Sequence, residues 1–170
     1  MEKILKEAVG IDVAQNELVA TLGRMNECLD IELFAFKVFA NSKKGINNLV
    51  SWASGQCSKP KDVRYVMEAT GVYHEDLAYA LSTLDLPTSI ILPNKISNYA
   101  RTLDVKTVTD KTASQAIARF GLERKLDNWN PPKAIYRELK QLTRERDQIV
   151  EQRAMVKIKD MQKKRKQCQT

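Results

Sequence analysis

The hydrophobic period of this chain changes partway along, and the order of the two periods constrains its fold more than any single motif. Residues 8–14 (AVGIDVA) are apolar apart from one Asp, which predicts a buried strand. Residues 17–22 (ELVATL) predict a second strand and residues 31–39 (IELFAFKVF) a third, with Gly23, Asn26 and Asp30 supplying turn chemistry between them. Three strands on short turns make an antiparallel meander. The period then lengthens. Asn41 or Ser42 can cap a helix to about residue 56, with Ile46, Leu49, Val50 and Ala53 on one face. Pro60 breaks the chain before a fourth strand at 63–69.

Residues 73–84 carry Leu77, Ala80, Leu81 and Leu84 at helical spacing. Pro87 opens a fifth strand at 89–92, and Pro93-Asn94 ends it ahead of a short helix at 96–103. A polar loop at 105–108 leads to Thr109 or Asp110, either able to cap a helix to about residue 125. The order β-β-β-α-β-α-β-α predicts an α/β fold, a mixed five-stranded sheet with helices on its faces, as in the ribonuclease H-like fold. Pro131-Pro132 marks a boundary between a domain at 1–130 and a long helix at 131–170 that holds no Gly or Pro beyond it. Ile135, Leu139, Leu142, Ile149 and Val156 follow the seam of a heptad, with Arg146 and Arg153 at the intervening positions. So thin a stripe predicts coiled-coil packing on another helix, its own copy or another part of the chain.

The charge divides at the same boundary. The chain has 28 Lys+Arg against 21 Asp+Glu; residues 1–130 hold 16 of each, and residues 131–170 hold 12 basic against 5 acidic, so the whole net charge of +7 lies on the last 40 residues. A basic end on a neutral globule points to a polyanion, nucleic acid first. Lys111, Arg144, Lys157, Lys163, Lys164 and Arg165 are the candidate nucleic-acid contacts. The bland alternative is a solvated helix with a basic end. No apolar run approaches the roughly 20 residues a bilayer needs. The first residues carry acids and no apolar core of a signal peptide. Cys28, Cys57 and Cys168 lie far apart, which suits reduced thiols in a cytoplasm and no zinc finger. GxGxxG, Walker and GxSxG motifs are absent.

Three acids stand out. Asp12 sits in an apolar strand, where a carboxylate is expensive unless paired or metal-bound. Glu68 repeats the anomaly near the end of the fourth strand, and Asp110 opens the last helix of the domain. Each has an ordinary alternative: an ion pair for Asp12, an edge-strand position for Glu68, an N-cap for Asp110. Together they suit a hard cation at the strand ends, Mg²⁺ or Mn²⁺. His74, the only histidine, reads with Glu75 and Asp76 as an acidic first helical turn. Trp52 and Trp129 read as core or interface. Tyr73 and Tyr99 read as packing residues before base-stacking ones.

Gly10-Ile11-Asp12-Val13-Ala14, Met67-Glu68-Ala69-Thr70-Gly71-Val72-Tyr73, Pro93-Asn94, and 106–111 (KTVTDK) with Gln115–Ala118 occur in that order. This set resembles the N-terminal domain of the Piv/MooV-type insertion-sequence transposases and DNA invertases, the DEDD recombinases, over roughly residues 7–156. The resemblance implies a RuvC-like, ribonuclease H-like fold in a bacterial cytoplasmic enzyme. It also implies a Mg²⁺-binding carboxylate tetrad whose first three members match Asp12, Glu68 and Asp110. The fourth should be an Asp three residues after the third; here it is Ala113, which has no ligand atom. The family also has a C-terminal domain with a serine thought to be the nucleophile toward DNA, and nothing here matches it. The end from about Ile158 matches no family feature, as a truncation or frameshift would leave it. Dimers through the long helix, and in some members a guiding non-coding RNA, are implied too. Two rivals remain: a stand-alone RuvC-like nuclease or junction resolvase, and a decayed nucleic-acid-binding or dimerisation module.

Overall fold

The computed structural model describes residues 3–69, 71–103 and 109–167, the side chains of 134, 137 and 160–167 excepted. Thr70, the loop at 105–108, Cys168 and the side chains of Lys163, Lys164 and Arg165 lie outside the described residues. Two compact units divide at Asn130. The first contains β1 (Ile4–Val13), β2 (Glu17–Asn26), β3 (Ile31–Ala40), α1 (Lys43–Ser54), β4 (Arg64–Glu68), α2 (Glu75–Thr83), β5 (Thr88–Ile91), α3 (Pro93–Ala100) and α4 (Asp110–Glu123). The second contains α5 (Ala134–Gln167).

The sheet order is β3-β2-β1-β4-β5. β1, β2 and β3 pair antiparallel, whereas β4 runs parallel to both β1 and β5. This is the mixed five-stranded sheet of a ribonuclease H-like fold. Its two faces follow from strand alternation. Val9, Ile11, Val13, Tyr65 and Met67 join Leu49, Leu77 and Leu81 of α1 and α2 in the larger core. Ala8 and Val66 lie on the other face with Leu122 and Ile117 of α4.

Several elements differ from the sequence expectation, each for a local reason. β1 starts at Ile4, because its polar residues find partners: Lys6 Nζ donates to Leu122 O at 3.0 Å, and the Glu7 carboxylate accepts from the Ser58 N–H at 2.9 Å and the Lys59 N–H at 3.2 Å. Gly23 is inside β2, not in a turn. A Cβ there would meet Leu33 Cδ2 at 2.7 Å and Leu122 Cδ1 at 3.0 Å, so glycine admits the neighbours. The turn lies later, where the Asn26 Oδ1 accepts from the Cys28 and Asp30 N–H groups and Leu29 takes φ 66°. Pro93 opens α3 rather than preceding it, since its fixed φ and missing N–H suit a first helical position. α2 begins two residues late, at Glu75, behind Gly71 at φ 54°.

Trp52 meets Phe39 in a tilted pair at 5.4 Å and Trp129 meets Tyr79 edge-on at 5.3 Å, both against the larger core. Tyr99 is buried against Phe120 at 5.2 Å, a packing role, while Tyr73 is exposed. In α5, Ile135, Leu139, Leu142, Ile149 and Val156 are all more than half exposed. Among the described residues no helix is long and apolar enough to cross a membrane.

The Glu7 clamp yields a stability prediction. Glu7 is 9% exposed and its oxygens take up the amides that anchor the 55–62 loop. Glu7→Ala is expected to lower urea-measured stability by about 2 kcal/mol, the range for hydrogen bonds to a charged group. Glu7→Gln, which keeps one acceptor oxygen, should lose less.

Candidate metal centre

In the parallel β1–β4 pair, Ile11 stands level with Met67. Both are fully buried and face the larger core. The next residue of each strand is Asp12 and Glu68, turned to the opposite face by alternation and both half-buried at the carboxyl ends of adjacent strands. Ligands collect at such strand ends in α/β sheets.

α4 covers that face in a defined direction. Leu122 packs on Ala8, and a Cβ on Gly10 would meet Ala118 N at 2.1 Å and Ser114 O at 2.3 Å. The Ser114 hydroxyl bonds the Thr21 hydroxyl at 2.7 Å, both buried, and Thr21 is the β2 partner of Gly10. Moving up β1 therefore means moving toward the start of α4. Asp110, four residues before Ser114, lies one turn further on, at the Asp12 end. Thr109 caps the helix in a capping box with Thr112, so Asp110 is the first helical residue rather than the cap. Ala113 is half-buried, and its N–H donates to Thr109 O at 2.8 Å; it follows Asp110 by three residues on the same side of the helix.

The electrostatics of Asp12 reflect this arrangement. Burial, then the charges of Asp110 and Glu68, push its carboxyl from 3.8 up to about 6. A backbone hydrogen bond from Val13 works in the other direction, and Glu17 adds a small upward push. Glu17 is an acid that the sequence reading passed over. The signal was available in the hairpin: Leu18 pairs with Val13, which returns Glu17 to the end of β1.

The donor set is all hard oxygen, which suits Mg²⁺ with water completing its shell. Among the described residues, however, no three His, Cys, Asp or Glu side chains are gathered closely enough to hold a metal ion. The two observations describe different ranges. Coulombic influence reaches well beyond a 2 Å coordination bond, and like charges repel one another. The residues fit a cation in charge and donor type, and coordination would need them to draw together.

The basic candidates are less concentrated. Lys111 is exposed beside Asp110, with Nζ 5.1 Å from the Phe36 ring centroid. Arg144 is half-buried and Lys157 exposed, both on α5.

Over 126 residues the chain is 29% identical to the pilin gene-inverting proteins of Moraxella bovis and Moraxella lacunata, matching 74% of this chain and 37% of each relative. It thus spans little more than a third of these curated relatives. Among solved structures it is similar to RuvC from Thermus thermophilus, at 12% identity and TM-score 0.47, over 66% of this chain and 90% of that one. The fowlpox virus Holliday junction resolvase is similar at 11% identity and TM-score 0.47, over 69% and 98%. A family model described as transposase, of the DEDD IS110 type, matches residues 9–162, which is most of the chain, and the chain belongs to that transposase family.

Proposed function

We propose that this chain is the RuvC-like catalytic-type domain of a DNA transposase or site-specific recombinase, with Asp12, Glu68 and Asp110 as ligands of Mg²⁺ or Mn²⁺. The observation that carries the reading is the parallel register of β1 and β4, which ends Asp12 and Glu68 level, with the charges of Asp110 and Glu68 raising the buried Asp12 carboxyl. Such an arrangement weakens a fold unless a cation uses it. A bound divalent ion supplies Lewis acidity at a phosphodiester and stabilises the leaving oxygen. The protein's own part is placement. Adjacent strands hold Asp12 and Glu68 level, the capping box fixes the turn that carries Asp110, and exposed Lys111 offers a cation to the nucleic-acid backbone.

The 170-residue chain alone is proposed to be inactive in strand transfer, because Ala113 occupies the position at which the family resemblance implies a fourth ligand. Self-association through the α5 seam, and contact of its basic end with DNA or a guiding RNA, belong to the same proposal. Calorimetric titration with MnCl₂ tests the site. Ala113→Asp is expected to bind Mn²⁺ about tenfold tighter than the unmodified chain. Equal affinities would remove Ala113 from the site. Cleavage of branched DNA by the unmodified chain with Mg²⁺ would mark a stand-alone resolvase instead. Nucleic-acid binding with no response of the protein to metal would mark a decayed binding module.

A further inference from the structure

The two ends of β1 in the first unit differ in the charged side chains around them. Its acids Asp12, Glu17, Glu68 and Asp110 lie at the carboxyl ends of β1 and β4, where they repel a polyanion that arrives without a metal. At the amino ends, about 20 Å away by the rise of six strand residues, the structure has a cleft of about 340 Å³. Five cations line it: Lys6, Lys59, Arg64, Arg124 and Lys125. Only two acids do, Glu7 and Asp62. A unit with equal numbers of acids and bases concentrates its positive charge here.

The cations divide by what occupies them. Lys6 Nζ is committed to Leu122 O, the ordinary service of a cation at a helix C-terminus. One Arg64 nitrogen, Nη1, is committed to Ser89 Oγ at 2.8 Å and Asn128 Oδ1 at 2.9 Å. Glu7 is turned to the Ser58 and Lys59 amides, which hold its carboxylate against the loop. Lys59, Arg124 and Lys125 are exposed, and among the described residues none of their charged heads has an ion-pair partner. They come from two separate segments, the loop after α1 and the residues just past α4, that converge on one concavity. Three uncommitted cations around a concave surface, with a fixed guanidinium behind them, match the spaced phosphates of a strand.

We propose that this cleft binds the sugar-phosphate backbone of a nucleic acid, independently of divalent metal and of the carboxylate edge. The proposal does not depend on the catalytic reading of Asp12, since the contact persists in EDTA. It gives the domain an anchor at one end of the sheet while the acids wait at the other.

The test uses the full chain and a fluorescently labelled 25-nucleotide single strand, in EDTA, with anisotropy read over a series of salt concentrations. Lys59→Ala, Arg124→Ala and Lys125→Ala combined are expected to reduce the slope of log K against log salt by about 2, three contacts at ~0.7 each. A charge-matched control, Lys43→Ala, Lys44→Ala and Lys95→Ala, removes three exposed cations elsewhere in the unit and should leave the slope nearly unchanged. Equal slopes for the cleft variant and the unmodified chain would overturn the proposal. So would equal losses in the two triple variants, which would reduce the effect to total charge. Circular dichroism checks that both fold. Should the triple variant not fold, Lys125→Ala alone, exposed and outside regular structure, should lower the slope by about 0.7, and an unchanged slope there counts equally against the site.

Discussion

Gly10→Ala is expected to destabilise the first unit by about 3 kcal/mol or more, the upper range for overpacking a tight core. The added methyl would stand 2.1 Å from Ala118 N, 2.3 Å from Ser114 O and 2.6 Å from Ala118 Cα. All three are backbone atoms of α4, so no rotamer change relieves the clash; the helix itself must lift from the sheet. Lifting it strains the buried Thr21–Ser114 hydrogen bond and loosens Ile117, Ala118 and Leu122, each 0% exposed. Gly55→Ala is the control, because its added Cβ would lie 3.4 Å from Ser51 O at an ordinary helical φ of −74°. That change should be neutral or slightly stabilising. Urea denaturation reads both, and similar small effects at the two positions would contradict the close approach of α4 to β1. A folded fraction of Gly10→Ala should also bind Mn²⁺ more weakly, since α4 carries Asp110.

Asp12→Asn should stabilise the metal-free protein at pH 7.5 and abolish stabilisation by divalent metal. The rise of the Asp12 carboxyl from 3.8 to about 6 corresponds to about 3 kcal/mol against the ionised native state, and solvent screening of a half-buried group reduces this to about 1–2 kcal/mol. Below pH 3.8 the side chain is protonated in both folded and unfolded chains, so the native state carries no penalty there. The penalty grows as pH rises toward 6 and is complete above it. Asn has no such titration. In EDTA the variant should therefore melt higher than the parent at pH 7.5 and at the same temperature, relative to other changes, below pH 4. Saturating Mn²⁺ should reverse the order, because only the parent gains from binding. Differential scanning calorimetry at two pH values, with and without metal, reads all four conditions. Loss of stability on Asp12→Asn at pH 7.5 in EDTA would mean that the carboxylate sits in a favourable ion pair, and the metal reading would fall with it.

Both predictions concern contacts that the sequence points to without locating. The AVGIDVA run displays a buried strand with a misplaced acid, and alternation already separates Asp12 from Val9, Ile11 and Val13. Alternation does not say which helix covers the Asp12 side. That was decided by Gly10 and Gly121, where a Cβ would strike α4 at Ala118 or β4 at Val66. Glu17 escaped notice because its nearness to Asp12 arises from hairpin register, not from its own surroundings in the chain. The basic cleft was hidden for the same reason. Lys6, Lys59 and Lys125 are far apart along the polymer, in segments of no unusual composition. Charge counted by region showed only the tail.

Local and periodic features are legible in the chain: which runs are strands or helices, three strands followed by alternating helices and strands, and the acids that break an apolar pattern. These depend on neighbours within one turn or one strand. The tertiary structure decided the rest. It extended β1 through Lys6 and Glu7 by supplying partners from α4 and the loop after α1. It set β1 parallel to β4, so that Asp12 and Glu68 end level. It brought the start of α4 toward those two carboxyls and gathered cations from four segments at the far end of the sheet. Such convergence depends on strand register and on how closely backbones approach, and both are settled only when the whole core packs at once.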